Sequence, residues 1–162
     1  KALLGKLGVT NVMCTRYYGE RFPANFHYDK ILVDGPCSSE GTIRGAQTSA
    51  STWLRDLSFR EKLYSSQKEI LRKAFKLLKV GGELVYSTCT YGPEENEFVV
   101  QDLLDHYDNA KLINVNDRDD LCHGITSWQG KDLDPSMSMA KRVYPHKFNS
   151  WGFFYAKITK RQ

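Results

Sequence analysis

The feature that most constrains this chain is a pattern that occurs twice: an apolar run that ends in a polar, cysteine-bearing loop. Ile31-Leu32-Val33-Asp34 leads into Gly35-Pro36-Cys37-Ser38, and Glu83-Leu84-Val85-Tyr86 leads into Ser87-Thr88-Cys89-Thr90. Between them runs one long stretch of helical periodicity, with Leu63, Gln67, Ile70, Leu71, Ala74, Phe75 and Leu78 on a single face. The capping-box pattern Ser58-Phe59-Arg60-Glu61 opens it and Gly81-Gly82 closes it. Strand, loop, helix and strand in that order make a right-handed crossover, whose two strands run parallel in one sheet. Adjacent strands lie about 4.8 Å apart, so Cys37 and Cys89 are expected at the same carboxyl edge, within reach of one small substrate. Open α/β sheets bind their ligands at that edge.

The remaining elements follow from shorter signals. Residues 1–8 read as a helix end closed by Gly8, Asn11 to Cys14 as a short strand, and Tyr17 to Pro23 as a loop. The unbroken apolar run Ile31-Leu32-Val33 suits a parallel strand buried on both faces. Gly35 to Trp53 is rich in Gly, Ser and Thr without periodicity, and so long an irregular loop in a compact domain usually serves function. Pro93 opens a second helix that runs to about Tyr107, where Glu94, Glu95 and Glu97 complement the positive end of the helix dipole. Lys111 to Val115 reads as a strand, residues 116–140 as polar loop, and Gly152 to Ile158 as a strong last strand.

Composition limits the class. With 162 residues, 41% hydrophobic and 26% charged, the chain has the make-up of one globular domain. No apolar run approaches the roughly 20 residues of a membrane span, and no signal peptide opens it. Four cysteines (Cys14, Cys37, Cys89, Cys122) without a CxxC pair point to reduced thiols in a cytosolic compartment rather than a disulfide frame. Cys14 reads as a small buried apolar residue, and Cys122-His123 has no partner pair for a zinc site. A cytoplasmic monomer is expected, with a nucleolar location open to a eukaryotic protein. From Pro135 onward there are six Lys or Arg and no Asp or Glu, with Tyr144, Trp151, Phe153, Phe154 and Tyr155 interleaved. Such a segment either faces nucleic acid or is an ordinary solvated strand pair with a basic tail.

Two strand-end thiols beside an acid allow three chemistries. A redox pair is one, although residues over fifty apart lack the CxxC geometry that lowers one thiol pKa. Cys-His hydrolysis is another, but no local pattern places His27, His106, His123 or His146 beside Cys89. The third is covalent catalysis on a pyrimidine. A thiolate that adds to carbon 6 makes carbon 5 nucleophilic toward an electrophilic methyl. An acid must meanwhile hold N3 and the exocyclic amine, and a second thiol can assist expulsion of the first. Asp34, Cys37 and Cys89 supply those parts.

At this point the motifs carry a resemblance. DGPCSSEG at 34–41, YSTCTYGPEENE at 86–97 and RVYPHKFNSWGFFYAKITK at 142–160 resemble, in order and spacing, the RNA 5-methylcytosine methyltransferases of the NOL1/NOP2/Sun group. The resemblance implies an S-adenosylmethionine-dependent enzyme of α/β class with a Rossmann-like fold, its sheet mainly parallel and its last strand antiparallel. It implies that residues 1–162 are the C-terminal portion of one catalytic domain, with the N-terminal half and its glycine-rich cofactor loop lying upstream. It assigns Cys89 as nucleophile, Cys37 as the thiol of product release and Asp34 as the acid that contacts the base and borders the cofactor. DNA cytosine methylases use the Pro-Cys cysteine instead, which makes Cys37 the rival nucleophile. The partner implied is RNA, either tRNA or rRNA, with Arg44, His146 and Lys147 as candidate contacts. An enzyme of this kind needs its target base unstacked, which favours looped or single-stranded RNA. Tyr18 stands where the family often has an Asp near the adenine, so a stacking role replaces a carboxylate there. Trp151 stands where an acid commonly precedes Gly-Phe-Phe, and is expected to pack rather than to stack on RNA. A catalytically incomplete RNA-binding fragment is the alternative reading.

Overall fold

The structure, a computed structural model, describes residues 2–42, 57–115 and 121–162. Its frame is the expected crossover. Strand β1 (Tyr28–Asp34) leads through a loop to the long helix α2 (Leu57–Leu77) and then to β2 (Leu78–Thr88). β1 and β2 pair in parallel, with Ile31 opposite Leu84 and Asp34 opposite Ser87. A short helix α1 (Ala2–Lys6) precedes them. After β2 come α3 (Glu97–His106), β3 (Ala110–Leu112), β4 (Cys122–His123), the small hairpin β5 (Ser127–Trp128) and β6 (Lys131–Asp132), β7 (Lys141–Val143) and β8 (Phe153–Lys160).

The last strand is antiparallel, as expected, and sits inside the sheet. β8 pairs along most of its length with β2, while its other edge is shared between β7 at one end and β3 at the other. The sheet order is β1-β2-β8-β7-β4. Because β8 runs against β2, its first residues lie beside the last residues of β2, with Phe154 opposite Thr88. The segment that leads into β8 therefore reaches the cysteine edge.

α2 and α3 cover one face of the sheet. Leu71, Phe75, Val99, Val100 and Leu103 from the helices meet Leu84, Tyr86, Phe154, Ala156 and Ile158 from the strands in a single core. Arg72 locks the two helices together, donating from Nε and Nη2 to the two carboxylate oxygens of Asp102 at 2.7 and 2.5 Å. The opposite face differs from the expectation for β1. Leu32 is 70% exposed rather than buried, because no described element covers that face or the outer edge of β1. For the same reason residues 11–14 form no strand, and Cys14 is exposed rather than packed.

Other boundaries move by a few residues. α2 begins at Leu57, so Ser58 lies in its first turn rather than capping it, and it ends at Leu77 before Gly81-Gly82. The register then slips between Tyr28 and Lys30 of β1, where Lys79 to Gly82 of β2 stand opposite Asp29 alone. Pro93 to Asn96 form a turn, and α3 starts only at Glu97. The third strand shortens to Ala110–Leu112. No helix among the described residues is long and apolar enough to cross a membrane.

Candidate functional site

The two cysteine loops meet. Cys37 Sγ lies 3.2 Å from Cys89 Sγ, both thiols free and half-buried at the carboxyl edge of β1 and β2. The cause is the parallel ladder: Asp34 and Ser87 are register partners, so the loops leave the sheet side by side. The Ser87 hydroxyl reaches back to Asp34 Oδ1 at 3.4 Å, and the Asp34 side chain stays exposed. Ser39 stands next to both sulfurs, its Oγ 3.5 Å from Cys89 and 4.0 Å from Cys37. To hold that hydroxyl there the backbone of Ser39 takes φ +56, a left-handed conformation that costs a residue with a Cβ. Desolvation, with the neighbouring Cys89 thiol adding to it, pushes the Cys37 thiol up to about 11. Cys37 thus stays protonated at neutral pH.

Beneath the thiols lies a network of charged and polar groups whose local sequence patterns point to other roles. Glu95, by position a first-turn acid facing the helix dipole, is wholly buried. Its Oε2 accepts from Ser38 N–H at 2.8 Å and from Gln67 Nε2 at 3.0 Å. Gln67 donates also to Pro36 O at 2.7 Å, so α2 and the turn before α3 together clamp both flanks of Cys37. Glu40 performs the same task for the second loop. Its Oε2 accepts from Thr90 Oγ1, Tyr91 N–H and Gly92 N–H at 2.9, 3.2 and 3.0 Å. Thr90 in turn bonds Ser38 Oγ at 2.7 Å, which couples the two loops directly.

A third tie comes from the end of the chain. Gly41 N–H donates to Cys89 O at 2.9 Å, and Gly152 N–H donates to Gly41 O at 3.1 Å. A Cβ on Gly41 would sit 2.3 Å from Gly152 O, and one on Gly152 would sit 2.1 Å from the Tyr91 ring. Both glycines are required by close approach, not by φ. Glu97, another acid expected to face the dipole, is wholly buried and forms a bidentate ion pair with Arg142 of β7. Arg142 donates onward to Tyr91 O at 2.9 Å. The cysteine loop is thereby fastened to β7 as well as to β8.

The other residues singled out from the sequence divide. His146 and Lys147 are exposed on the turn between β7 and β8, and the His146 ring continues a ladder of rings that begins in the Cys89 loop. Tyr18 is 74% exposed beneath the Arg21 guanidinium. Arg44 lies outside the described residues. Trp151, expected to pack, is instead 61% exposed. The basic C-terminal segment does not form a basic face: Lys141 and Arg142 are buried, Lys157 pairs with Glu83 at 2.6 Å, and Lys160 donates to Leu78 O at 3.0 Å. No cluster of metal-ligating side chains occurs among the described residues.

Beside the thiols, along the open flank of β1, lies a groove of about 850 Å³ lined by Phe22, Phe26, Ile31, Val33, Ile70 and Leu77 among others, with Asp34 and Pro36 at the cysteine loop. Its size is that of a small-molecule cleft. A mainly apolar lining with one carboxylate, Asp34, and two lysines, Lys30 and Lys73, suits an amphipathic cofactor that carries a flat heterocycle.

The family model for the 16S rRNA methyltransferase RsmB/F matches residues 1–159. The chain belongs to the RsmB/F methyltransferase family. Similar to it are the Ribosomal RNA small subunit methyltransferase F of Erwinia tasmaniensis, 34% identical over 98% of this chain and 32% of the relative, and the tRNA (cytosine(49)-C(5))-methyltransferase of Pyrococcus abyssi, 39% identical over 82% of this chain and 42% of the relative. The crystal structure of a methyltransferase homologue from Pyrococcus horikoshii superposes with a TM-score of 0.82 at 34% identity, over 98% of this chain and 48% of that one. This RsmB/F member spans about a third of the length of the first of those curated relatives.

Proposed function

We propose that this chain is the C-terminal portion of a catalytic domain that methylates carbon 5 of cytosine in RNA, with Cys89 as nucleophile, Cys37 as release thiol and Asp34 as the base-contacting acid. The observation that carries the reading is the 3.2 Å approach of two free thiols at one sheet edge, with Asp34 at the end of the adjoining strand. Membership of a methyltransferase family supports the reaction class.

The residues divide the work as follows. The Cys89 thiolate bonds to carbon 6, and the electrons of the 5,6 double bond become available at carbon 5. Asp34 holds the N3 and amine edge, where charge develops in that step. S-adenosylmethionine, when bound, supplies the electrophilic methyl group. Asp34 and the apolar side chains of the groove are the residues of this chain that would border it. Once carbon 5 carries the methyl, its proton passes to a water molecule acting as base, the electrons of that bond restore the 5,6 double bond, the carbon 6 to sulfur bond breaks and Cys89 departs as thiolate. Cys37 is suited to assist that last phase, since its raised pKa keeps a proton on sulfur 3.2 Å from the departing group. A half-buried pair of this kind needs the cytosine flipped out of its stack, so unpaired RNA is the substrate class.

One observation favours a second reading. The chain spans only part of its relatives, so on its own it can act as an RNA-binding portion that transfers no methyl group. A tritiated-methyl transfer assay on RNA, run with this chain and with a version extended upstream, separates the two. Incorporation by the extended protein, abolished by Cys89→Ala, is the expected result. An extended protein that binds RNA yet incorporates nothing overturns the enzyme reading.

A further inference from the structure

The rim of the cysteine edge carries a set of rings that neither the core nor the proposed chemistry uses. Tyr91, two residues after Cys89, lies nearly parallel to Tyr144, with centroids 6.0 Å apart and planes 13° apart. Tyr144 in turn faces His146 at 5.6 Å and 26°. The ladder therefore starts in the Cys89 loop and ends on an exposed ring. Trp151 stands on the same turn between β7 and β8 and is 61% exposed. Its backbone neighbour Gly152 bonds Gly41, which bonds the Cys89 carbonyl, so two hydrogen bonds tie the backbone beside Trp151 to that of the thiol. Phe153, the first residue of β8, is 38% exposed beside it, and Lys147 lies exposed on the same turn.

Trp151 and Phe153 together expose ring surface at one rim, and a shared apolar patch rather than a lone ring marks an interaction site. The composition of this rim selects the occupant. The strongly basic C-terminal segment spends Lys141, Arg142, Lys157 and Lys160 on internal partners, which leaves rings rather than charges at the surface. Among the described residues this is a surface of rings with a single exposed lysine, poorly suited to the phosphates of a duplex. It is well suited to single strands, because every nucleobase has an apolar face and stacks without regard to sequence. The placement adds the register: a platform next to the thiols meets the nucleotides that flank a flipped cytosine.

We propose that the turn between β7 and β8 is a base-stacking platform, with Trp151 as its principal ring, that holds an unpaired nucleobase adjacent to the target cytosine. This rests on the reading of the chain as an RNA cytosine methyltransferase, and it names how that substrate is held. Stacking on Trp151 keeps the neighbouring base out of the duplex and so lowers the cost of presenting carbon 6 to Cys89.

The test is a binding titration of this chain by fluorescence anisotropy, with a labelled single-stranded RNA of about twelve nucleotides containing one cytosine and with the same RNA annealed to its complement. Trp151→Ala is expected to weaken single-strand binding by about fivefold or more, whereas Trp151→Phe, which keeps a ring, stays within about twofold of the parent. Duplex affinity and melting temperature are expected to be unchanged in both variants. Single-strand affinity equal to the parent in Trp151→Ala, an equal loss on single strand and duplex, or a Phe variant as weak as the Ala variant overturns the platform. The contrast is read without any methyl transfer and is expected to persist in a Cys89→Ala background. If the transfer assay fails while the Trp151 contrast holds, the platform stands without the enzyme reading. If the extended protein transfers methyl groups and the contrast is absent, this inference alone falls.

Discussion

The two flanks of β1 and β2 solve opposite problems. At the carboxyl edge, carboxylates, hydroxyls and backbone groups are cross-linked over three separate segments, so that two sulfurs stand 3.2 Å apart. Along β1 itself the polar ties are two exposed ion pairs, Lys79–Asp29 and Lys30–Glu83, while Leu32 and Phe26 are about 70% exposed and a mainly apolar groove of about 850 Å³ lies open. The residues proposed to handle the base are thus fixed by the chain's own folding. The surface proposed to border the cofactor is an open groove between β1, α2 and the segment from Met13 to Phe26. Rigidity has been built where geometry between side chains matters, and apolar surface is left where something else is expected to complete the site.

That contrast predicts a graded series. The largest effect is at the buried ion pair. Arg142→Ala leaves Glu97 wholly buried without its ion-pair partner, and is expected to destabilise the chain by about 3–5 kcal/mol, seen as a lowered urea midpoint. Second is the thiol chemistry. Because the Cys37 thiol is held up to about 11 against an ordinary 9.0, its alkylation at pH 9 should run about fiftyfold slower than in the urea-unfolded chain and climb on toward pH 11. The sign for stability follows: the folded state holds the proton more tightly, so this contribution is present below pH 9 and lost as pH rises through 11. A rate that levels off near pH 9 in the folded protein would break the claim that the pair is desolvated. Third, Ser39→Gly releases the left-handed strain and should stabilise by about 1 kcal/mol while it removes the hydroxyl beside both sulfurs. Higher melting temperature with slower methyl transfer in the extended protein is the expected pairing. The smallest effect is on the open flank. Leu32→Ser should shift stability by no more than about 0.5 kcal/mol in this chain, whereas a core position of β2 such as Leu84→Ser should cost several times more.

The convergence of the cysteines was legible in the sequence because it follows from backbone rules alone. Two apolar runs separated by one helix admit a single handedness, and strand spacing then sets how far apart the loops emerge. The antiparallel last strand was also legible, through the resemblance of its motif. The buried acids were not. Glu95 and Glu97 sit where a helix-opening turn would put exposed carboxylates, and their partners Ser38 and Arg142 lie 57 and 45 residues away. A local pattern cannot report a contact at that distance. Arg142 gave no hint either, because the segment around it read as a nucleic-acid face or a solvated strand pair. Leu32, Cys14 and Trp151 misled for a related reason. Apolar character signals burial only when some element covers the residue, and the described residues leave that face of β1 and the rim of β8 open. Charge counting left the C-terminus open between a nucleic-acid face and a solvated strand pair, and could not show that four of its six cations face inward or pair locally.

The central claim is that the paired thiols have unequal roles, and one measurement reads it directly. The extended protein carrying Cys37→Ala, incubated with RNA and methyl donor, denatured, digested and analysed by mass spectrometry, should yield the cytosine nucleotide attached to the peptide containing Cys89. The matching Cys89→Ala protein should yield no such conjugate. Attachment through Cys37 in the second protein, with none through Cys89 in the first, would contradict the account.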